Sequence, residues 1–125
     1  MRLGRALAAM ALFVVLPAGC VDQNVPADCG EPAVTRELTL AGVELGGDRP
    51  SVCRGQDVML GFTADGDGVL HVHGYDEQVP AVEYRAGERI ELSFTATVSG
   101  QFPIEIHTDE NAEGQEICIF TVHER

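Results

Sequence analysis

From Leu38 to Val122 apolar residues recur at every second position in short runs, and no stretch of ten residues carries a helical stripe. Leu38/Leu40, Val58/Leu60/Phe62, Leu70/Val72, Ile90/Leu92/Phe94, Phe102/Ile104/Ile106 and Ile117/Ile119 each fit a period of two. A strand turns successive side chains to opposite faces, so each run has one face to bury. The runs stop at Gly46-Gly47-Asp48, Arg54-Gly55-Gln56, Asp65-Gly66-Asp67-Gly68, Arg85-Ala86-Gly87-Glu88 and Ser99-Gly100, where glycine and short polar side chains favour turns. The spacing predicts an all-β sandwich or barrel of about seven or eight short strands.

Residues 1–19 do not share this pattern. Arg2 and Arg5 precede an uncharged apolar run, Ala6 to Leu16, which is followed by Pro17-Ala18-Gly19-Cys20. The run is shorter than the roughly 20 residues that a membrane span needs, and its order is that of a signal peptide. Its end resembles the lipobox of bacterial lipoproteins, with Leu16 one place early and Pro17 in the usual leucine position. The resemblance implies that Cys20 is acylated and becomes the N-terminus. Ordinary cleavage near Ala18-Gly19, with Cys20 left as a disulfide partner, is the alternative. Either processing places the mature chain outside the cytoplasm, in the bacterial cell envelope. Residues 20–35, with several polar residues and prolines, read as a tether, and residues 36–125 as the single domain.

The whole chain has 8 basic and 20 acidic residues and a formal charge of −12. Loss of residues 1–19 removes Arg2 and Arg5 and no acid, leaving six Arg against 20 acids, a net charge of −14. There is no lysine and no clustered positive charge, which excludes a nucleic-acid footprint. Anionic headgroups repel such a surface, so contact with the membrane is expected through the lipid alone.

Two strand segments place metal-ligating side chains on the face opposite their apolar residues. In Leu70-His71-Val72-His73 the imidazoles project together, about 6 to 7 Å apart along the strand. In Ile104-Glu105-Ile106-His107 the carboxylate and the third imidazole share a face. Nitrogen and oxygen ligands without sulfur suit Cu(II) or Zn(II), although exposed strand histidines are also ordinary polar residues. Asp65-Gly66-Asp67-Gly68 echoes the opening of a calcium loop, but without flanking helices it reads as a hairpin turn. Ser51, Ser93 and Ser99 lack a nucleophile-elbow context, and no acid/base pair stands out, so an enzyme is not expected.

The segments Arg54-Gly55-Gln56-Asp57-Val58, His71-Val72-His73-Gly74-Tyr75-Asp76, Arg85-Ala86-Gly87-Glu88 and Ser99-Gly100-Gln101-Phe102, with Glu105-Ile106-His107 after them, resemble the cupredoxin-like domains of exported bacterial proteins. The likeness implies a Greek-key β-sandwich. It also implies that His71 stands where blue-copper members carry their first histidine ligand. The cysteine ligand of those members falls at Ile106, and Thr108 to Gln115 offers no Cys, His or Met. A blue-copper electron shuttle is therefore not expected.

The family's strand order implies His71 near His107 and His73 near Glu105, a site of three histidines with Glu105 as fourth ligand or support. With Cys20 acylated, Cys29, Cys53 and Cys118 permit three single disulfides. The resemblance implies a Cys29–Cys53 bridge with Cys118 buried and free. Two function classes follow: a lipid-anchored, copper-binding cupredoxin-like protein, or a β-sandwich that binds an envelope partner without metal.

Overall fold

The structure, a computed structural model, describes residues 24–125. The signal segment 1–19 and the acylation expected at Cys20 lie outside the described residues. Nine strands form among the described residues: β1 (Ala33–Ala41), β2 (Glu44–Gly47), β3 (Ser51–Cys53), β4 (Asp57–Ala64), β5 (Gly68–Val72), β6 (Val82–Tyr84), β7 (Ile90–Thr95), β8 (Gly100–His107) and β9 (Gln115–His123). They make two sheets, ordered β2-β1-β4-β7 and β3-β9-β8-β5-β6. Pairing is antiparallel except for β1 with β4 and β3 with β9. The count exceeds seven or eight because β2, β3 and β6 are only three or four residues long, too short to carry an alternation.

The two sheets bury the alternating faces against each other. Leu38, Leu60, Phe62 and Leu92 come from one sheet and Leu70, Val72, Ile104, Ile106 and Phe120 from the other, all nearly or fully buried. Each buried aliphatic or aromatic side chain contributes on the order of 1.5–3 kcal/mol through removal from water. Tyr75 joins the sheets at one end, its ring 5.2 Å from Phe94 and 4.7 Å from the partly buried Phe102. Its hydroxyl donates to the Val98 carbonyl and accepts from the Val98 N–H at 3.1 Å, which satisfies a polar group otherwise stranded in the core.

The Asp65–Asp67 turn is not a hairpin. It leaves β4 in one sheet and enters β5 in the other, so the chain crosses the sandwich there. A hairpin would put Phe62 and Leu70 in one sheet; the arch puts them in the two facing sheets of one core. The turn is held by the Asp65 N–H on the Leu40 carbonyl at 3.1 Å and by the Asp65 carboxylate on the Gly42 N–H at 3.0 Å.

β1 begins at Ala33, inside the stretch that reads as a tether, and residues 28–32 are fastened to the sandwich. Gln56, fully buried, accepts from the Cys53 N–H at 2.8 Å and donates to the carbonyls of Asp28 (2.8 Å) and Glu31 (2.9 Å). Asp28 takes both ends of the Arg36 guanidinium at 2.8 Å, and Arg36 holds the Asp28 carboxyl below its usual range. Cys29 and Cys53 are joined by a disulfide, with Cα atoms 5.4 Å apart. Cys118 is buried but is not a free thiol; it is disulfide-bonded. The expectation of a free Cys118 rested on an odd cysteine count, reached by assigning Cys20 to a lipid.

Candidate metal centre

β5 and β8 lie side by side and antiparallel, with Val69 opposite His107 and His71 opposite Glu105. This register is two residues away from that implied by the resemblance, which set His71 near His107. Both strands turn their apolar residues inward. Leu70, Val72, Ile104 and Ile106 are buried, so His71, Glu105 and His107 must share the outer face. His73 follows the last residue of β5, and its N–H donates to the Pro103 carbonyl at 2.9 Å, which carries the strand direction one residue further.

Glu105 is the hub of this face. Its two carboxylate oxygens lie 3.0 Å from His73 Nε2 and 3.0 Å from His107 Nε2. The His71 and His73 rings stand 4.2 Å apart between centroids, at 50° to each other. His71 Nε2 bonds instead to Asp76, whose carboxyl is held below its usual range by that bond and by the Gly74 N–H. His107 Nδ1 lies 3.0 Å from the Ala112 carbonyl. A carbonyl only accepts, so Nδ1 carries the proton and Nε2 is the nitrogen turned to Glu105. Both contacts are hydrogen bonds only when the ring is doubly protonated; in the neutral ring the Nε2 lone pair faces a carboxylate.

Two contributors carry no metal-ligand signature in the sequence. Asp76 is five residues beyond His71, and the backbone returns to it through Gly74, at φ 92°. A side chain on Gly74 would strike the Phe102 ring. Gly114 is the second: a Cβ there would collide with the Glu105 carboxylate and the His107 ring, so the cluster exists in the space this glycine leaves. Its pattern, Glu113-Gly114-Gln115 before a strand, reads only as a turn.

The donor set fits a borderline divalent ion in type: three imidazoles and a carboxylate on one sheet face, with no thiolate. Ile106, where the resemblance implies the blue-copper cysteine would stand, is buried and points into the core. Among the described residues no three or more His, Cys, Asp or Glu side chains stand in an arrangement that encloses a metal ion. The carboxylates occupy the imidazole nitrogens, and ligation requires side-chain rotation there.

No family model matches the chain, and no curated protein matches its sequence. Solved structures do share the fold. A multicopper oxidase from Pseudomonas thermotolerans is 19% identical over 74% of this chain and 30% of its own, with a TM-score of 0.57. Fet3p, a multicopper oxidase that functions in iron import, is 18% identical over 73% of this chain and 23% of its own, with a TM-score of 0.54. A chain of a heme-copper terminal oxidase dimer is 12% identical over 92% of this chain and 82% of its own, with a TM-score of 0.58. This chain thus spans under a third of the two multicopper oxidases and most of the terminal-oxidase chain. The fold is a cupredoxin-like β-sandwich.

Proposed function

We propose that this protein is an extracytoplasmic copper-binding domain of the bacterial cell envelope, and that it neither shuttles electrons as a blue-copper protein nor acts as an enzyme. The observation that carries the reading is the gathering of His73 and His107 on the two oxygens of Glu105, with His71 against His73. A cation at this face would meet the Glu105 carboxylate and the imidazole nitrogens of His73 and His107 together. Copper-containing oxidases among the proteins of like fold support the choice of metal.

His71, His73 and His107 would hold the ion, and Glu105 would serve as fourth ligand or orient two of the rings. Bound Cu(II) supplies Lewis acidity and a weakly absorbing nitrogen-oxygen centre. The chain's own part is positional. The Ala112 carbonyl fixes the His107 tautomer, Asp76 restrains His71, and Gly114 keeps the site open. Such outer partners set ring orientation and ligand basicity in metal sites.

The second reading is a metal-free envelope module whose histidines serve only as hydrogen-bond partners of Glu105 and Asp76. It is favoured by the closed pairing of those groups. Calorimetric titration of the purified chain with Cu(II) and Zn(II) separates the two. One equivalent bound, lost in His71→Ala/His73→Ala, supports the copper domain; a double variant that binds like the parent leaves the metal-free module.

A further inference from the structure

β7 is the outermost strand of its sheet and pairs with β4 alone. It is six residues long, against three or four for the other edge strands, β2, β3 and β6. Just past its end the Ala96 N–H donates to the Gln56 carbonyl at 2.9 Å, so the even-numbered residues of this segment turn their backbone groups to β4. Alternation then turns those of Glu91, Ser93 and Thr95 to the open side. Thr95 is closed there: its N–H donates to Gln78 Oε1 at 3.3 Å, and its carbonyl accepts from the Thr97 N–H at 2.9 Å. Nothing among the described residues bonds to the backbone N–H or carbonyl of Glu91 or Ser93. Both residues are exposed, and β7 carries no proline, lysine or bulge of the kind that blunts an edge.

These open groups, the N–H and carbonyl of Glu91 and of Ser93, stand in an order that pairs with itself. An antiparallel copy of β7 turned about a two-fold axis at Leu92 sets Glu91 opposite the partner's Ser93 and Ser93 opposite the partner's Glu91. Each such pair exchanges both N–H···O bonds, so every open group of both copies is used. The neighbouring registers fail. An axis at Glu91 sets two carboxylates directly opposite each other, which is destabilising. An axis at Ser93 brings Glu91 to the partner's Thr95, whose backbone is already bonded to Gln78 and Thr97. The axis at Leu92 also matches charge. One pair further on, Arg89 comes opposite the partner's Thr95, whose hydroxyl donates to Asp57 at 2.7 Å. No cation of its own chain pairs with Asp57 among the described residues.

We propose that the free edge of β7 binds a second copy of this chain, joining two four-stranded sheets edge to edge about a two-fold axis at Leu92. Both copies are strongly acidic, so the pairing is reversible and strengthens as salt screens their repulsion. None of the proposed copper ligands lies on β7, so the interface stands or falls apart from the copper reading.

Sedimentation of the exported, processed chain from micromolar to millimolar concentration tests the interface, without copper and in mild detergent so that no acyl group adds a contact. A monomer–dimer equilibrium that shifts toward dimer with added salt is expected. Ser93→Pro removes an N–H that bonds to nothing within its own chain, and an edge strand tolerates proline at such a position. The dimer should be lost while the melting temperature moves by only a few degrees. Ser93→Lys, which faces the partner's Glu91, should tighten the dimer roughly three- to ten-fold, and Ser93→Glu should weaken it by as much, since the symmetry repeats each cross-strand pair. These two variants decide the matter even where proline disturbs the strand. Thr35→Lys, which adds the same charge two strands away from the edge, should leave the dimer unchanged. A monomer at every concentration, a dimer that survives in well-folded Ser93→Pro, or Lys and Glu variants that shift the equilibrium the same way would overturn the proposal. So would a different protein held at this edge in place of a second copy.

Discussion

His71 and Glu105 stand directly opposite each other across the β5–β8 pairing, yet their side-chain bonds run to different partners. Glu105 takes His73 and His107, one on each oxygen, while His71 goes to Asp76. The face is thus two coupled units, and the adjacent, tilted rings of His71 and His73 are the link between them.

That division makes Glu105 separable from the fold. Glu105→Gln keeps the shape but removes the charge that both imidazoles address. Copper affinity is expected to fall about 10–100-fold, the usual effect of losing a partner that orients ligands. The melting temperature should move by only a few degrees, because the side chain lies on the outer face. Calorimetry paired with a thermal melt checks both; unchanged copper affinity would remove Glu105 from the site.

Phe94 tests the core. It is 8% exposed and packs against Tyr75 and Phe120, with ring centroids at 5.2 and 5.5 Å. Phe94→Ala is expected to cost about 3–5 kcal/mol in denaturant unfolding. A loss under about 1 kcal/mol would mean that the ring is not buried as described.

The Asp28–Arg36 pair gives a pH signature. Its bond to Arg36 lowers the Asp28 carboxyl in the folded state, so the pair stabilises the protein above the unfolded carboxylate pKa of about 3.9. That stabilisation is lost as pH falls through the lowered folded value. Asp28→Asn should therefore cost stability at neutral pH, by at most about 1 kcal/mol since the carboxylate is partly exposed. The gap between parent and variant should close below about pH 4. Parallel melts across that range would show it, and a gap that widens in acid would contradict the sign.

Sulfur accounting decides the anchor. Cys29 and Cys53 hold each other, and Cys118 is disulfide-bonded. A thioether at Cys20 and a disulfide at Cys20 exclude each other. Alkylation of the denatured, unreduced chain is expected to leave Cys118 unlabelled. Intact mass of the same sample then reports whether Cys20 carries acyl groups, and a labelled Cys118 beside an acylated Cys20 would reverse the assignment of Cys118.

Alternation made the sandwich legible, since Leu60, Phe62, Leu70, Val72, Ile104 and Ile106 announce their faces by spacing alone. The same rule put His71, Glu105 and His107 on one outer face. It could not supply the register between β5 and β8, which depends on where two distant strands meet. Nor could it tell an arch from a hairpin at Asp65-Gly66-Asp67, because both use the same turn residues. Asp76 and Gly114 were illegible because their roles arise from chain reversal and from empty space, neither of which has a period.

The fastening of residues 28–32 sets a standoff distance for anything attached at Cys20. From Cys20 to Asp28 the chain advances eight residues and spans at most about 29 Å when fully extended. That is about the diameter of a domain this size. The fastening also sets an orientation. Cys53 pairs with His123 in β9, whose neighbour Val122 faces Gly100 at the start of β8, whereas His107 ends that strand about 23 Å further on. A leash this short, tied at the Gly100 end, would turn the histidine face away from any surface to which Cys20 were moored and toward whatever passes above it.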